Sequence, residues 1–147
     1  MELRTSAFDD HTPIPAVHTR DGDNVSPPLE WSGVPEGTVE LALICEDPDA
    51  PSGTFVHWVV AGIPPDVDGF AHGEVPSGTV AGRNDFGDVG WGGPRPPVGD
   101  PAHRYFVRLY ALDTPTELEP GFDADELRRH ISRHAIDSGN VVGLYQR

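Results

Sequence analysis

Two carboxylates and a histidine stand around one stiff turn. Asp47 and Asp49 lie in Asp47-Pro48-Asp49-Ala50-Pro51, and His57 follows eight residues after Asp49. Each proline fixes its own φ and pushes the residue before it towards extended geometry. A loop with so little freedom holds polar groups in fixed positions. A second set comes later: Gly93-Pro94-Arg95-Pro96-Pro97, then His103 and Tyr105. Proline has no N–H, so Arg95 carries the only backbone donor in Pro94–Pro97. A lone N–H on a proline-stiffened turn, with Gly92-Gly93 allowing close approach just before it, suits an oxygen anion. His57 and His103 add donors whose charge changes near neutral pH. Tyr105 adds a hydroxyl. Asp47 and Asp49 would orient the imidazoles, or share a proton with a bound phosphate or carboxylate oxygen. Gathered in one place, these groups make a small cup for one anionic head group.

Each group also has a plainer role. Asp47 and Asp49 are turn-capping residues, a histidine leading a strand is often structural, and the Gly/Pro loop has a role in shape alone. The cup needs three segments distant in sequence to converge, and spacing does not dictate that. An enzymatic reading would use the same aspartates and histidines to hold a metal or to act as acid–base pairs. No serine, threonine or cysteine nucleophile accompanies them, and the spacing of Asp47, Asp49, His57 and His103 matches no metal signature. No catalytic residue, metal or cofactor is therefore assigned.

The elements that position these groups read as short strands joined by tight turns. Val39–Cys45 is apolar and β-branched, a strand that the Asp47–Pro51 turn stops. Phe55–Ile63 is the next strand, ended by Pro64-Pro65. Leu3–Phe8 opens the chain as a strand, Asp9–Asn24 is irregular with a turn at Thr12–Pro15, and Val25–Trp31 is extended, with Trp31 in the core. Asp66–Ser77 has no period and reads as loop, and Gly78–Arg83 as a short strand. Asn84–Pro101 holds five glycines and four prolines in eighteen residues, interleaved with aromatics, which predicts a loop of specified shape. Tyr105–Leu112 alternates as a strand. One helix is predicted over Ala124–Asp137: Asp123 is its N-cap, Glu126 completes a capping box, and Gly139 terminates it. Val141–Tyr145 is a final short strand. No repeat or second domain is evident, so residues 1–147 read as one domain.

Composition narrows the function classes. The net charge is −14, from 24 acidic and 10 basic side chains, and no basic block exists. That argues against a nucleic-acid partner and against polyanions in general. A single cysteine, Cys45, rules out an internal disulfide and reads as a small buried hydrophobe. The start of the chain carries no apolar signal region, no run approaches a membrane span, and no apolar helix or basic patch would dock on a bilayer. The expectation is a soluble cytoplasmic protein without stable membrane insertion. The 16 prolines and 17 glycines suit many short strands better than a helical bundle.

The motifs taken together resemble a known family. DPDAP followed by HW, then GGPRPP, then HRY, is similar to the phosphatidylethanolamine-binding protein (PEBP) family, in its bacterial and archaeal Raf-kinase-inhibitor-like (YbhB/YbcL) branch. VSPPLEW at Val25–Trp31, GVPEG at Gly33–Gly37, NDFG at Asn84–Gly87, YAL at Tyr110–Leu112 and GLYQR at Gly143–Arg147 extend the resemblance over nearly the whole chain. It implies a mostly β fold: a β-sandwich of antiparallel sheets with one C-terminal helix and short peripheral helices. It also implies a pocket for phosphate-like anions such as phosphate, phosphoethanolamine or a phosphorylated side chain. That pocket would be formed by Asp47, Asp49, His57, the Arg95 backbone N–H, His103 and Tyr105, with Gly93, Pro96 and Pro97 shaping the wall. The resulting expectation is a non-enzymatic binding protein. Relatives described as inhibitors of kinases or proteases make a protein-interaction module the alternative, working through the Asp9–Asn24 and Asp66–Ser77 loops. Members of this branch are often homodimers, so the resemblance allows a homodimer here. Three features depart from the pattern: Trp91 replaces the usual tyrosine, Arg95 replaces a small residue or cysteine, and Ser52–Val56 is shorter than usual.

Overall fold

The two apolar runs beside the Asp47–Pro51 turn become neighbouring strands at the centre of the larger of two sheets. The structure, a computed structural model, describes all of residues 1–147. In chain order it has β1 (Glu2–Arg4), β2 (Thr12–Pro13), a 3-10 turn (Ala16–His18), β3 (Leu29–Ser32), β4 (Glu40–Asp47), β5 (Phe55–Ile63), β6 (Gly69–Phe70), β7 (Val80–Ala81), β8 (His103–Leu112), α1 (Ala124–His134) and β9 (Ala135–Tyr145). β1, β3 and β6 form a three-stranded antiparallel sheet. The six-stranded sheet runs β2-β9-β8-β4-β5-β7 and is antiparallel except where β2 joins β9 in parallel. The expected mostly β architecture with one C-terminal helix is what the chain adopts.

Alternation along the central strands divides the core into two layers. Leu41, Leu43, Cys45, Trp58, Val60, Tyr105, Val107 and Leu109 pack between the sheets, against Leu3, Trp31 and Phe70 of the smaller one. Ala42, Ile44, Val59, Ala61 and Leu112 face the other way, onto Phe122 and onto Leu127 of α1. Burying one such aliphatic side chain fully stabilises the fold by about 1.5–3 kcal/mol. All eight residues of β4 and seven of the nine of β5 are buried, which gives their connecting turn a rigid base. No helix is long and apolar enough to cross a membrane.

Several expected boundaries move. β1 stops at Arg4 rather than Phe8, because the Thr5 hydroxyl turns back to the Pro28 carbonyl and also accepts from the Ala7 N–H. Only Leu29–Ser32 of the proline-stiffened segment pairs as a strand. Thr12-Pro13, read as a turn, is a two-residue strand on β9, and the Asp66–Ser77 stretch, read as loop, contributes β6. The helix ends at His134, not Asp137, and β9 starts at once. The free edge of β8 claims those residues: Leu112 pairs Ala135 and Ala111 pairs Asp137. Gly139 is therefore no helix terminator. It lies inside β9 where Met1 crosses, and a Cβ there would come 3.0 Å from the Met1 carbonyl oxygen.

Candidate functional site

His57 occupies an irregular position in β5. Along β4 and β5, Cys45 pairs Trp58 but Glu46 pairs Val56, so His57 is the extra residue of a β-bulge. The bulge breaks strict alternation. His57 and Trp58, consecutive in sequence, both serve the layer between the sheets: Trp58 joins its core, and the His57 ring meets the Tyr105 ring edge-on at 5.1 Å. Two further hydrogen bonds tie His57 to the Gly/Pro loop. Its Nδ1 donates to the Gly92 carbonyl at 2.6 Å, and the Gly92 N–H donates to the His57 carbonyl at 2.9 Å. Burial, opposed in part by that bond and by the charges of Asp47 and Asp85, holds the His57 pKa below the ordinary imidazole value.

Asp47 closes β4 and starts the turn. One carboxylate oxygen accepts from the Asp49 N–H at 2.8 Å, which is the turn-capping role of an aspartate in a proline turn. The other lies 2.6 Å from His103 Nδ1. His103 Nε2 lies 3.0 Å from an Asp100 carboxylate oxygen. Ionised carboxylates only accept, so with both carboxylates ionised each nitrogen of this ring donates and the ring takes the imidazolium form. Burial opposes that charge, but the bonds to Asp47 and Asp100 outweigh it and raise the His103 pKa.

These groups line a cavity of about 210 Å³. Asp47, His57, Arg95, Pro96, Pro97, His103 and Tyr105, seven of the nine expected site residues, lie on its walls. Tyr105 is 1% exposed, yet its hydroxyl has no hydrogen-bond partner. Burial, reinforced by the charge of Asp47, raises its pKa and keeps the phenol protonated. Arg95 is exposed at the rim; neither its backbone N–H nor its guanidinium has a partner in the protein.

The other two expected residues stand behind the walls. The Asp49 carboxylate grips Arg104 through Nε, Nη2 and the backbone N–H at 2.8–2.9 Å. The Arg104 guanidinium beside it lowers its pKa to about 2. Asp49 thus braces the turn against β8 and does not face the cavity. Gly93 donates its N–H to Asn24 Oδ1 at 2.7 Å, and a Cβ there would run into the His18 carbonyl. It fixes the loop from behind. Trp91 packs edge-on against Trp58 at 5.4 Å and bonds the His18 carbonyl, so it belongs to the same backing.

Sequence reasoning missed four lining residues and two supports. Ala50, Pro51, Phe55 and Phe86 complete the wall, two of them aromatic. Phe86 lies in the NDFG stretch and stacks edge-on to Phe55 at 4.7 Å. Arg20 lies over the ring of Phe86, 3.7 Å from its centre. Asp100 carried one local signal, its place three residues before His103. Arg20 carried none.

A larger groove of about 580 Å³ opens on the helix side of the sheet. Most of its polar side chains are already engaged. Glu46 is held by Arg108 and Arg128, Asp85 accepts from the Val56 N–H, and Asp123 caps Glu126. No buried polar group is left orphaned there, whereas Tyr105 is orphaned in the smaller cavity. The smaller cavity is the better candidate.

The phosphatidylethanolamine-binding protein family model matches residues 4–146. A UPF0098 protein of Methanothermobacter thermautotrophicus is 48% identical, over 100% of this chain and 99% of its own. Two solved structures superpose closely. A phosphatidylethanolamine-binding protein homologue of Chlamydia trachomatis has a TM-score of 0.92 and 35% identity, covering 99% of this chain and 97% of its own. E. coli YbcL has a TM-score of 0.94 and 31% identity, covering 99% and 98%.

Proposed function

The chain belongs to the phosphatidylethanolamine-binding protein family, and we propose that its cavity binds a small phosphate-like anion without transforming it. The observation that carries this reading is the Tyr105 hydroxyl, protonated, sealed in the cavity wall and without a partner. A buried donor left unmade costs stability, so such groups persist where a ligand or water completes them. The unpaired Arg95 N–H and guanidinium at the rim add donors of the same kind. At about 210 Å³ the cavity suits a head group and is smaller than sites that enclose drug-sized molecules.

Binding without chemistry is supported by what the walls offer. No serine, threonine or cysteine lines the cavity. Cys45 is fully buried in β4, and burial pushes its thiol pKa far up, which removes it as a nucleophile. Both nitrogens of His103 are taken by carboxylates, which leaves His57 Nε2 as the one unpaired imidazole nitrogen on the cavity wall.

The test is an NMR titration of the histidine ring protons with inorganic phosphate and then phosphoethanolamine, at constant ionic strength. The reading expects saturable shifts at His57 and His103 among the seven histidines. Saturation absent from both rings would sink it.

A further inference from the structure

Hydrogen-bond directions in the cavity constrain the ligand more closely than its charge does. The Gly92 carbonyl only accepts, so His57 Nδ1 carries the proton of the neutral ring. Nε2 has no partner in the protein, and the ring lines the cavity. Neutral His57 therefore offers a lone pair to a ligand, not an N–H. Burial favours that neutral form. The charged and titratable groups around it are Asp47 and Asp85, which favour the cation, Arg20, which disfavours it, and Tyr105 with His103 beyond it.

Tyr105 and Arg95 line the other walls, and the Tyr105 hydroxyl, the Arg95 N–H and the Arg95 guanidinium are donors without a partner in the protein. The charges nearby cancel. The His103 imidazolium and Arg95 balance Asp47 and Asp100, in a chain whose net charge is −14. Nothing in the cavity favours a dianion over a monoanion.

We infer, resting on the anion-binding reading above, that the cavity selects inorganic phosphate or a phosphomonoester bearing one O–H, which it donates to His57 Nε2, and discriminates against sulfate and phosphodiesters. With such a ligand every group is paired: the O–H meets Nε2, and the bare oxygens meet Tyr105 and Arg95. Sulfate and a phosphodiester bring no proton near neutral pH. Their oxygens face the Nε2 lone pair unless the buried ring first takes up a proton. Whether the shared proton sits nearer nitrogen or oxygen does not change the count, since one proton must enter the site with the anion. The phosphate of an intact phospholipid is a diester, so soluble phosphomonoesters rank ahead of lipids.

Calorimetric titration of the full chain at constant ionic strength tests this with four probes: inorganic phosphate, phosphoethanolamine, sulfate and glycerophosphoethanolamine. Near pH 6, phosphate and phosphoethanolamine should bind about tenfold or more tightly than the other two. Phosphate monoesters lose their second proton near pH 6, so their affinity should fall roughly 50-fold from there to pH 8. Sulfate or the diester binding as tightly as phosphate, or phosphoethanolamine tightening with rising pH, overturns the inference while the anion-binding reading stands. No saturable binding by any of the four overturns that reading as well, and the inference with it.

Discussion

His57 and Gly92 hold each other by two reciprocal hydrogen bonds, 2.6 Å from the ring to the Gly92 carbonyl and 2.9 Å from the Gly92 N–H back to the His57 carbonyl. One bond sets the tautomer of the ring. The other sets the distance between β5 and the Gly/Pro loop. The protonation state of the cavity and the position of its wall thus depend on the same pair.

Gly92→Ala should disturb both. An added Cβ would lie 2.5 Å from the Phe86 ring and 3.0 Å from Asn84 Nδ2. Overpacking of this kind costs about 1–3 kcal/mol. Denaturant unfolding should show that loss, and the His57 ring resonances should move. An unchanged midpoint and spectrum would mean that the wall does not depend on this contact.

Tyr105→Phe separates binding from stability. The lost hydroxyl has no partner in the protein, so its removal should leave stability unchanged or raise it by about 1 kcal/mol. Phosphate binding should weaken about 3- to 10-fold, the worth of one neutral hydrogen bond. Thermal unfolding and a phosphate titration measure the two effects. A stability loss with unchanged binding would assign the hydroxyl to the fold.

Stability should respond to pH at three named groups. The His103 pKa is raised in the folded state, so its pairing with Asp47 and Asp100 is fully present below the unfolded value of about 6.5 and is lost as pH rises through the folded value. The His57 pKa is lowered, so its contribution has the opposite sign: present above about 6.5, lost as pH falls towards the folded value. Asp49, lowered to about 2, contributes above its unfolded value and loses that contribution as pH falls through about 2. Asp100→Asn should lower the His103 midpoint in an NMR pH titration and leave the His57 midpoint nearly in place. A His103 midpoint that does not move would detach Asp100 from the site.

Leu127→Ala probes the helix side. Leu127 is the one buried residue of α1 and is 0% exposed. Truncation should cost about 2–5 kcal/mol, read by denaturant unfolding. Phosphate affinity should hold, because the helix packs on the face of the sheet away from the cavity.

The parts of this protein legible in the sequence are those fixed by near neighbours. Proline geometry and aspartate capping made the Asp47–Pro51 turn readable. Asp123 does cap the helix, accepting from the Glu126 N–H at 2.9 Å. Strand β5 falls at Phe55–Ile63 as its apolar run implies. The lone Arg95 donor followed from covalent chemistry, since prolines flank it on both sides. Each of these rests on forces that act within a few residues, so one chain carries the information.

What the tertiary structure decided rests on register between strands far apart in sequence. Nothing near Asp49 says that its carboxylate turns to Arg104, or that the carboxylate of Asp47 reaches His103. Those partners follow from β4 lying against β8 with Glu46 opposite Phe106. The same dependence ended the helix at His134, because an open β8 edge offered Ala135–Tyr145 a ladder of hydrogen bonds that local helix propensity did not match. It also placed the bulge that directs His57 and Trp58 to one layer. Side-chain types set what chemistry the chain carries, and long-range pairing selects which of those groups remain unpaired and face the cavity.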